Sequence, residues 1–307
     1  MLKVEAYSDL MREIKSGRFV FTGELEPERT TDLSEIIEAA KDLKGHVVAC
    51  NVTDGPQACA YMSSLAASYV LQKETGIEMV YQLVCRDRNI IALFADLLGA
   101  GALGIKNILA LTGDHSAVGD MPDAKPVFDL DSAQLTYMIR KMVDEGVNPY
   151  GKPINKPPKF HVGVAANPNA DPLEPEIFKV RRKVEAGAEF IQTQAVFDIE
   201  ATKRFIEETK RFNIPILVGI FPMKNYRMAD FFNKNVPGVS VPTELLEKLE
   251  KVEGIADKNL RKQKCDEVNL DFFIEFIKEL RKTTAVGCHI MAVGYERLTP
   301  KLVEAVR

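Results

Sequence analysis

The chain has 307 residues, of which 46% are hydrophobic, so it is long enough to bury a large core. Its formal net charge is −4, with acids and bases mixed along the chain, which gives no overall attraction to nucleic acid or to an anionic membrane. We therefore expect a small-molecule ligand. The five cysteines include no Cys-x-x-Cys pair, and no stretch has the pattern of a signal peptide or a membrane span, so a cytoplasmic protein is predicted.

Eight short segments have the composition of buried strands, because they are rich in β-branched and apolar residues and are bounded by turn or cap signals. They are residues 19–26, 46–53, 78–85, 106–113, 160–167, 189–197, 215–221 and 287–294. Most are separated by stretches with helical periodicity, several of which end on glycine. Strands and helices that alternate in this way predict a parallel sheet with right-handed crossovers.

The order of elements favours a closed (β/α)8 TIM barrel over an open doubly wound sheet. Eight strands in about 300 residues suit the barrel. An open dinucleotide-binding sheet requires Gly-x-Gly-x-x-Gly after its first strand, and residues 23–35 read GELEPERTTDLSE instead. The segment 225–284 is longer than a simple crossover and contains two helical stretches, 242–254 and 269–283, which predict extra helices before the eighth strand. We expect residues 1–307 to form a single domain.

In a barrel, reactive groups lie at the carboxyl ends of the strands. The polar residues at these ends are Glu24, Glu26, Asn51, Thr53, Gln82, Arg86, Asp114, His115, Asn167, Asn169, Gln192, Gln194, Lys224, Asn225 and His289. No nucleophile motif or metal-ligand spacing is present, which disfavours a hydrolase or a zinc enzyme, and a structural role is the better interpretation of any single histidine. The carboxylates of Glu24 and Asp114 and the amide of Gln194 are complementary to the edge of a pterin or flavin ring.

Four blocks of the sequence carry a resemblance to a known family. They are FTGELEPER at 21–29, LALTGDH at 109–115, KVEAGAEFIQTQAVFD at 183–198 and PILVGIFPMKNY at 215–226. In this order they resemble the methylenetetrahydrofolate reductase family over nearly the whole chain. The resemblance implies a noncovalent flavin, usually FAD, that passes a hydride to 5,10-methylenetetrahydrofolate and yields 5-methyltetrahydrofolate in one-carbon metabolism.

The resemblance also implies roles for individual residues. Glu24 would be the general acid that protonates N10 of the substrate and opens its five-membered ring, and Asp114 would supply the nearby negative charge that keeps this acid protonated. Gln194 would orient the pterin, and Tyr226 would pack against it. The flavin would contact Thr53, Gln82, Thr112, Gly113, Asp114, His115, Ala165, Asn167 and Lys183.

Some positions depart from the family pattern. Gln82, Thr112 and Asn167 stand where well-studied members carry His, Arg and Tyr, so FMN or a differently placed FAD is the alternative cofactor. The last strand reads HIMAVGYE and resembles the reductases of acetogen-like bacteria. The electron donor is therefore expected to be NAD(P)H or an iron–sulfur or flavoprotein subunit, within an oligomer. The alternatives are another flavin-binding barrel oxidoreductase, such as one like proline dehydrogenase, and a noncatalytic folate-binding subunit.

Overall fold

The computed structural model describes residues 5–236 and 239–307. Eight parallel strands close into a barrel in which each strand pairs with its sequence neighbours and the last strand pairs with the first. The strands are β1 Val20–Leu25, β2 Ala49–Val52, β3 Glu78–Val84, β4 Asn107–Leu111, β5 His161–Ala166, β6 Phe190–Ala195, β7 Ile216–Ile220 and β8 Gly287–Ile290. The predicted (β/α)8 barrel is confirmed.

Helices surround the barrel, and three of them lie between β7 and β8. Within the described ranges the α-helices are α1 Asp9–Lys15, α2 Ser34–Leu43, α3 Ser64–Thr75, α4 Ile90–Ala102, α5 Ser132–Arg140, α6 Glu174–Glu185, α7 Ile199–Thr209, α8 Tyr226–Asn235, α9 Thr243–Glu253, α10 Lys258–Leu280 and α11 Leu298–Val306. The two extra helices predicted before the eighth strand are confirmed as α9 and α10, and α8 is a further helix that the sequence patterns did not predict. Every helix in these ranges is too short or too polar to cross a bilayer.

Several predicted boundaries are wrong for local reasons. The second strand begins at Ala49 and not at residue 46, because the amides of His46 and Val47 hydrogen-bond to the carbonyl of Leu43 at the end of α2. The eighth strand ends at Ile290 and not at residue 294, because the chain then turns, with the amide of Tyr295 hydrogen-bonded to the carbonyl of Ala292. Helix α10 begins at Lys258, well before the predicted residue 269, and its N-cap Asp257 accepts a hydrogen bond from the amide of Leu260.

Helix α1, which the sequence patterns do not predict, closes the amino-terminal end of the barrel. Its buried Leu10, Met11 and Ile14 join apolar side chains of β1, β2, β3, β4, β6 and β7 in one cluster. The backbone amide of Tyr7, just before α1, donates to Nε2 of His161 at 2.8 Å. Because α1 covers this end of the barrel, polar ligands have access at the opposite end.

Gly163 makes room for an aromatic ring inside the barrel. A Cβ on this residue of β5 would lie 2.2 Å from the ring of Phe190, which is fully buried in the adjacent strand β6. Contacts this short between a Cβ and a ring atom force the core to shift. Glycine at this position is therefore required by packing.

We predict that Gly163→Ala lowers the free energy of unfolding by about 1–3 kcal/mol, because the new methyl group overpacks the barrel. Urea unfolding measures this loss. The loss should shrink in a Phe190→Leu background, where the ring is removed. The control is Gly99→Ala in α4, where the nearest atom to the new Cβ lies at an ordinary 3.7 Å. Equal losses at the two glycines would contradict this account of the packing.

Candidate active site

Glu24 lies at the carboxyl end of β1, where side chains from β8 and β3 hold it. Its Oε2 accepts a hydrogen bond from Nε2 of Gln82 on β3 at 3.1 Å and lies 3.3 Å from Nε2 of His289 on β8. Nδ1 of His289 in turn lies 3.0 Å from the hydroxyl of Thr22. The Glu24 side chain is 12% exposed, so the carboxyl group is sheltered but can be reached from the barrel mouth.

A pair of buried amides forms a polar layer inside the barrel. Asn51 on β2 and Gln192 on β6 donate to each other's carbonyl oxygens, at 2.6 and 3.0 Å. Asn51 is fully buried and Gln192 is 2% exposed. Buried polar groups are stable when they satisfy one another in this way. The two amides therefore link opposite walls of the barrel without needing solvent.

A bulge in β6 exposes Gln194. The register of β6 against β7 slips by one residue, and the hydroxyl of Thr193 accepts the hydrogen bond from the amide of Gly219 at 2.8 Å. A Cβ on Gly219 would lie 2.3 Å from the carbonyl oxygen of Thr193, so the close approach requires glycine. The side-chain carbonyl of Gln194 accepts from the backbone amide of Ala195. No described residue accepts from the side-chain NH2 group of Gln194. Gln194 can therefore donate to a ligand at the mouth.

The loop after β4 contains Asp114. Gly113 has φ +89°, and a Cβ there would lie 3.1 Å from Cβ of Val84, so the turn needs glycine. The buried guanidinium of Arg86 donates to the backbone carbonyls of Asp114 and Gly55 at 3.3 and 3.2 Å and ties the two loops together. The Asp114 side chain is exposed, and within the described residues its carboxylate accepts no hydrogen bond from protein. This carboxylate is available to a ligand.

The neighbouring loops supply hydroxyl, imidazole and amide groups. The Thr112 hydroxyl accepts from the amide of Ser132 at the start of α5, so it is partly used in the fold. Nδ1 of His115 accepts from the amide of Ala117, and the Asn167 side chain accepts from the amide of Asn169. The predicted ligand residues after β4 and β5 thus also shape their own loops.

A cation and an unpaired hydroxyl lie near the ends of β5 and β2. The Lys183 ammonium donates to the carbonyl of Ala165 at 2.6 Å, and its burial lowers the pKa of Lys183. The Thr53 hydroxyl is buried and has no hydrogen-bond partner in the described part of the chain. A flavin carries phosphate, ribityl and ring groups that a cation and a few placed polar groups can bind. Lys183, Thr53, Gln82 and the loop after β4 fit such a ligand.

Tyr226 is the first residue of α8 and is half-buried. The preceding Asn225 caps this helix by accepting from the amide of Met228 at 2.8 Å, which fixes the position where α8 begins. Tyr226 therefore stands where the loop after β7 meets α8, on the same end of the barrel as Glu24.

Comparison with known proteins gives the family. The family model described as methylenetetrahydrofolate reductase matches residues 9–307. The chain belongs to the methylenetetrahydrofolate reductase family. The relatives include 5,10-methylenetetrahydrofolate reductase of Pectobacterium carotovorum, which is 26% identical over 78% of this chain and 75% of its own length.

Two other relatives of the family are much longer than this chain. Methylenetetrahydrofolate reductase 1 of Schizosaccharomyces pombe is 24% identical over 76% of this chain and 36% of its own length. A probable methylenetetrahydrofolate reductase (NADPH) of Caenorhabditis elegans is 28% identical over 62% of this chain and 27% of its own length. The matched region is thus about a third of these two proteins.

In this member of the methylenetetrahydrofolate reductase family, the rim residue Glu26 has a raised pKa. Burial, and to a lesser degree the negative charges of Glu24, Glu28 and Glu296, together raise the pKa of Glu26 to about 7. Glu26 lies one residue past the end of β1 and two after Glu24, and the alternation of side chains along an extended chain is the signal that could have placed these two rim residues side by side. The sequence-based prediction names only Asp114 as the source of negative charge near Glu24 and does not include Glu26 in this role.

The raised pKa of Glu26 predicts a pH-dependent stability. Between its ordinary value of 4.5 and about 7, the folded chain holds a proton that the unfolded chain releases, so stability falls as pH rises through this window. Glu26→Gln mimics the protonated form. We expect it to raise the free energy of unfolding by about 1–3 kcal/mol at pH ~8 and to change it little at pH ~5.

Urea unfolding of the purified protein at both pH values measures this effect. The control is Glu35→Gln, which removes an exposed carboxylate of α2 and should leave the pH dependence unchanged. A Glu26→Gln variant that gains no more stability at the higher pH than at the lower would contradict the assignment of a buried proton to Glu26.

Proposed function

We propose that this chain reduces 5,10-methylenetetrahydrofolate to 5-methyltetrahydrofolate with a bound flavin. The observation that carries the proposal is the carboxyl group of Glu24, held between Gln82 and His289 at a sheltered barrel mouth. Membership of the methylenetetrahydrofolate reductase family over residues 9–307 supports the choice of substrate. A purely folate-binding subunit has no use for a sheltered acid at this position.

Glu24 has the geometry of a proton donor. Both contacts from Gln82 and His289 go to Oε2, and no described residue hydrogen-bonds to Oε1. A proton on Oε1 is therefore free to pass to the substrate, while Oε2 keeps the carboxyl group in place. Transfer of this proton to N10 makes it a better leaving group and opens the five-membered ring of the substrate.

Three further residues are proposed to orient the pterin. The Asp114 carboxylate has no protein partner in the described residues and can accept from the N–H groups of the aminopyrimidinone edge. The free NH2 group of Gln194 can donate to the ring carbonyl. Tyr226, at the start of α8, would pack against the ring or its aromatic extension. Together they would hold N10 beside Glu24.

A flavin, when bound, supplies the hydride that completes the reduction. We propose that Lys183 meets its phosphate or ribityl oxygens and that Gln82 and the loop from Thr112 to His115 meet its ring. Thr53, Ala165 and Asn167 complete the proposed cofactor site. FAD is the cofactor that the family resemblance favours, and FMN is the alternative because Gln82, Thr112 and Asn167 depart from the family pattern.

The electron source is proposed to be NAD(P)H or a partner redox protein in an oligomeric assembly in the cytoplasm. The last strand and its loop, residues 287–294, differ from the family pattern at the place expected to meet a nucleotide donor. Flavin reduction by NADH and NADPH, each compared with dithionite, separates these sources. Rapid reduction by a nucleotide would support a direct donor, whereas reduction by dithionite alone would support a partner protein.

We predict that Glu24→Gln lowers the rate of methylenetetrahydrofolate reduction by at least about 100-fold, because an amide cannot donate the required proton. Flavin reduction by dithionite and binding of 5-methyltetrahydrofolate should persist, since glutamine keeps the size and the hydrogen-bonding oxygen of the side chain. Stopped-flow measurement of flavin reoxidation by the folate gives the rate.

The matched control is Glu28→Gln, which makes the same change on an exposed residue of the following loop. It should react at nearly the wild-type rate. Normal folate reduction by Glu24→Gln would show that another group donates the proton. Loss of flavin binding in this variant would instead indicate that Glu24 supports the cofactor.

A further inference from the structure

The loop after β2 reaches across the barrel mouth to the loop after β4. Its residues 55–62, here called the strap, leave the end of β2 two residues past Thr53. A Cβ on Gly119, in the loop after β4, would lie 2.0 Å from the carbonyl oxygen of Ala58, so the two backbones are in direct contact. Because β3 lies between β2 and β4 in the barrel, the strap crosses the carboxyl end of β3.

Asp120 ties the strap to two other loops. Its Oδ1 accepts a hydrogen bond from the amide of Ala60 at 2.9 Å, and its Oδ2 lies 2.6 Å from Nη2 of Arg29, in the loop after β1. Nε of Arg29 in turn donates to the carbonyl of Ala60 at 3.1 Å. The Arg29 guanidinium also lies over the ring of Tyr61, 5.3 Å from its centroid. One carboxylate and one guanidinium thus hold the loops after β1, β2 and β4 together.

The strap is held in a strained conformation. Gln57 and Ala58 are consecutive residues with φ +54° and +57°, in the left-handed region that residues other than glycine rarely adopt. Such strain persists only where neighbouring contacts hold the chain in place. Opening of the strap would let both residues return to ordinary backbone angles. The strain therefore favours opening once the contacts of Asp120 are broken.

Two groups proposed to meet the flavin lie at the base of the strap and on the strand that it crosses. Thr53, at the base, is 5% exposed, and its hydroxyl has no hydrogen-bond partner among the described residues. Gln82, on β3, is 8% exposed. The guanidinium of Arg86, just past β3, donates to the carbonyl of Gly55 in the strap. With so little of Thr53 and Gln82 exposed, a ligand as large as a flavin reaches them only when the covering loop moves.

We propose that the strap closes over the flavin site and that Asp120 is the positioning residue that holds it closed. The inference rests on the proposed function and adds to it the step that controls exchange of the cofactor. Entry and release of the flavin both require that Asp120 lets go of Arg29 and Ala60. Loss of these contacts therefore speeds binding as well as release, because the same opening precedes each. Loss of a direct contact with the flavin would speed release alone.

Stopped-flow fluorescence of FAD and of FMN measures both rates without turnover. Mixing the apoprotein with flavin gives the binding rate, and transfer of flavin from the loaded protein to an excess of an unrelated apoflavoprotein gives the release rate. Asp120→Ala should raise both rates by about tenfold, because it removes the ion pair and the hydrogen bond to a charged oxygen. Asp120→Asn keeps an oxygen for the amide of Ala60 and should raise both by only about threefold.

Two further variants separate opening of the strap from damage to the fold. Ala58→Gly relieves the strain of the closed strap and should lower both rates by about threefold. Slower release cannot arise from partial unfolding, because unfolding speeds the loss of a bound cofactor. The matched control is Asp123→Asn, which changes an exposed carboxylate of the same loop as Asp120 and should leave both rates unchanged.

Each remaining outcome counts against the closing strap. Binding and release rates that stay at the wild-type values in Asp120→Ala and Ala58→Gly would overturn it but leave the reductase proposal intact. Faster release with an unchanged binding rate in Asp120→Ala would place this residue in the cofactor site itself and would also overturn it. Failure of the wild type to bind either FAD or FMN would overturn the proposed function together with the strap.

Discussion

The pairing of β8 with β1 is the constraint on which the site depends, because it brings His289 against Glu24 although 265 positions separate them in the chain. Gln82 reaches the same carboxyl oxygen from β3, so the acid is held from both sides. A carboxyl group fixed by two neighbours keeps its direction when a ligand arrives, which is what a proton donor requires. An open sheet would leave β1 and β8 at separate edges.

The two ends of the barrel interior differ in polarity, and this difference separates the packed core from the polar site. At the amino-terminal end, α1 and the ring of Phe190 fill the interior with apolar atoms, and Gly163 is needed to admit that ring. Above them, Asn51 and Gln192 satisfy each other's amides. The loops at the carboxyl end can then carry different polar residues without exposing the core. Residues that bind ligands and residues that stabilise the fold therefore lie at opposite ends of the barrel.

Much of this arrangement could be predicted from the sequence, because strand composition and helix periodicity are local properties. The eight strands, the extra helices and the rim position of Glu24 follow from such patterns. Contacts between distant strands do not. Neither the slip of β6 against β7 that exposes Gln194 nor the hydrogen bond from Gln82 to Glu24 has a signal in one sequence. Alternation of side chains predicts that Glu24 and Glu26 face the same way, but the raised pKa of Glu26 comes mainly from burial, which one sequence does not reveal.

In the proposed reaction a flavin, when bound, would supply the hydride and Glu24 would donate the proton to methylenetetrahydrofolate. The most direct test is an anaerobic half-reaction in which dithionite reduces the flavin-loaded protein before the folate is added. We expect the absorbance of oxidised flavin to return as 5-methyltetrahydrofolate forms. Flavin that stays reduced in the presence of bound folate would contradict the proposed function. The chain would then have the fold of the family but would not catalyse the reduction of methylenetetrahydrofolate.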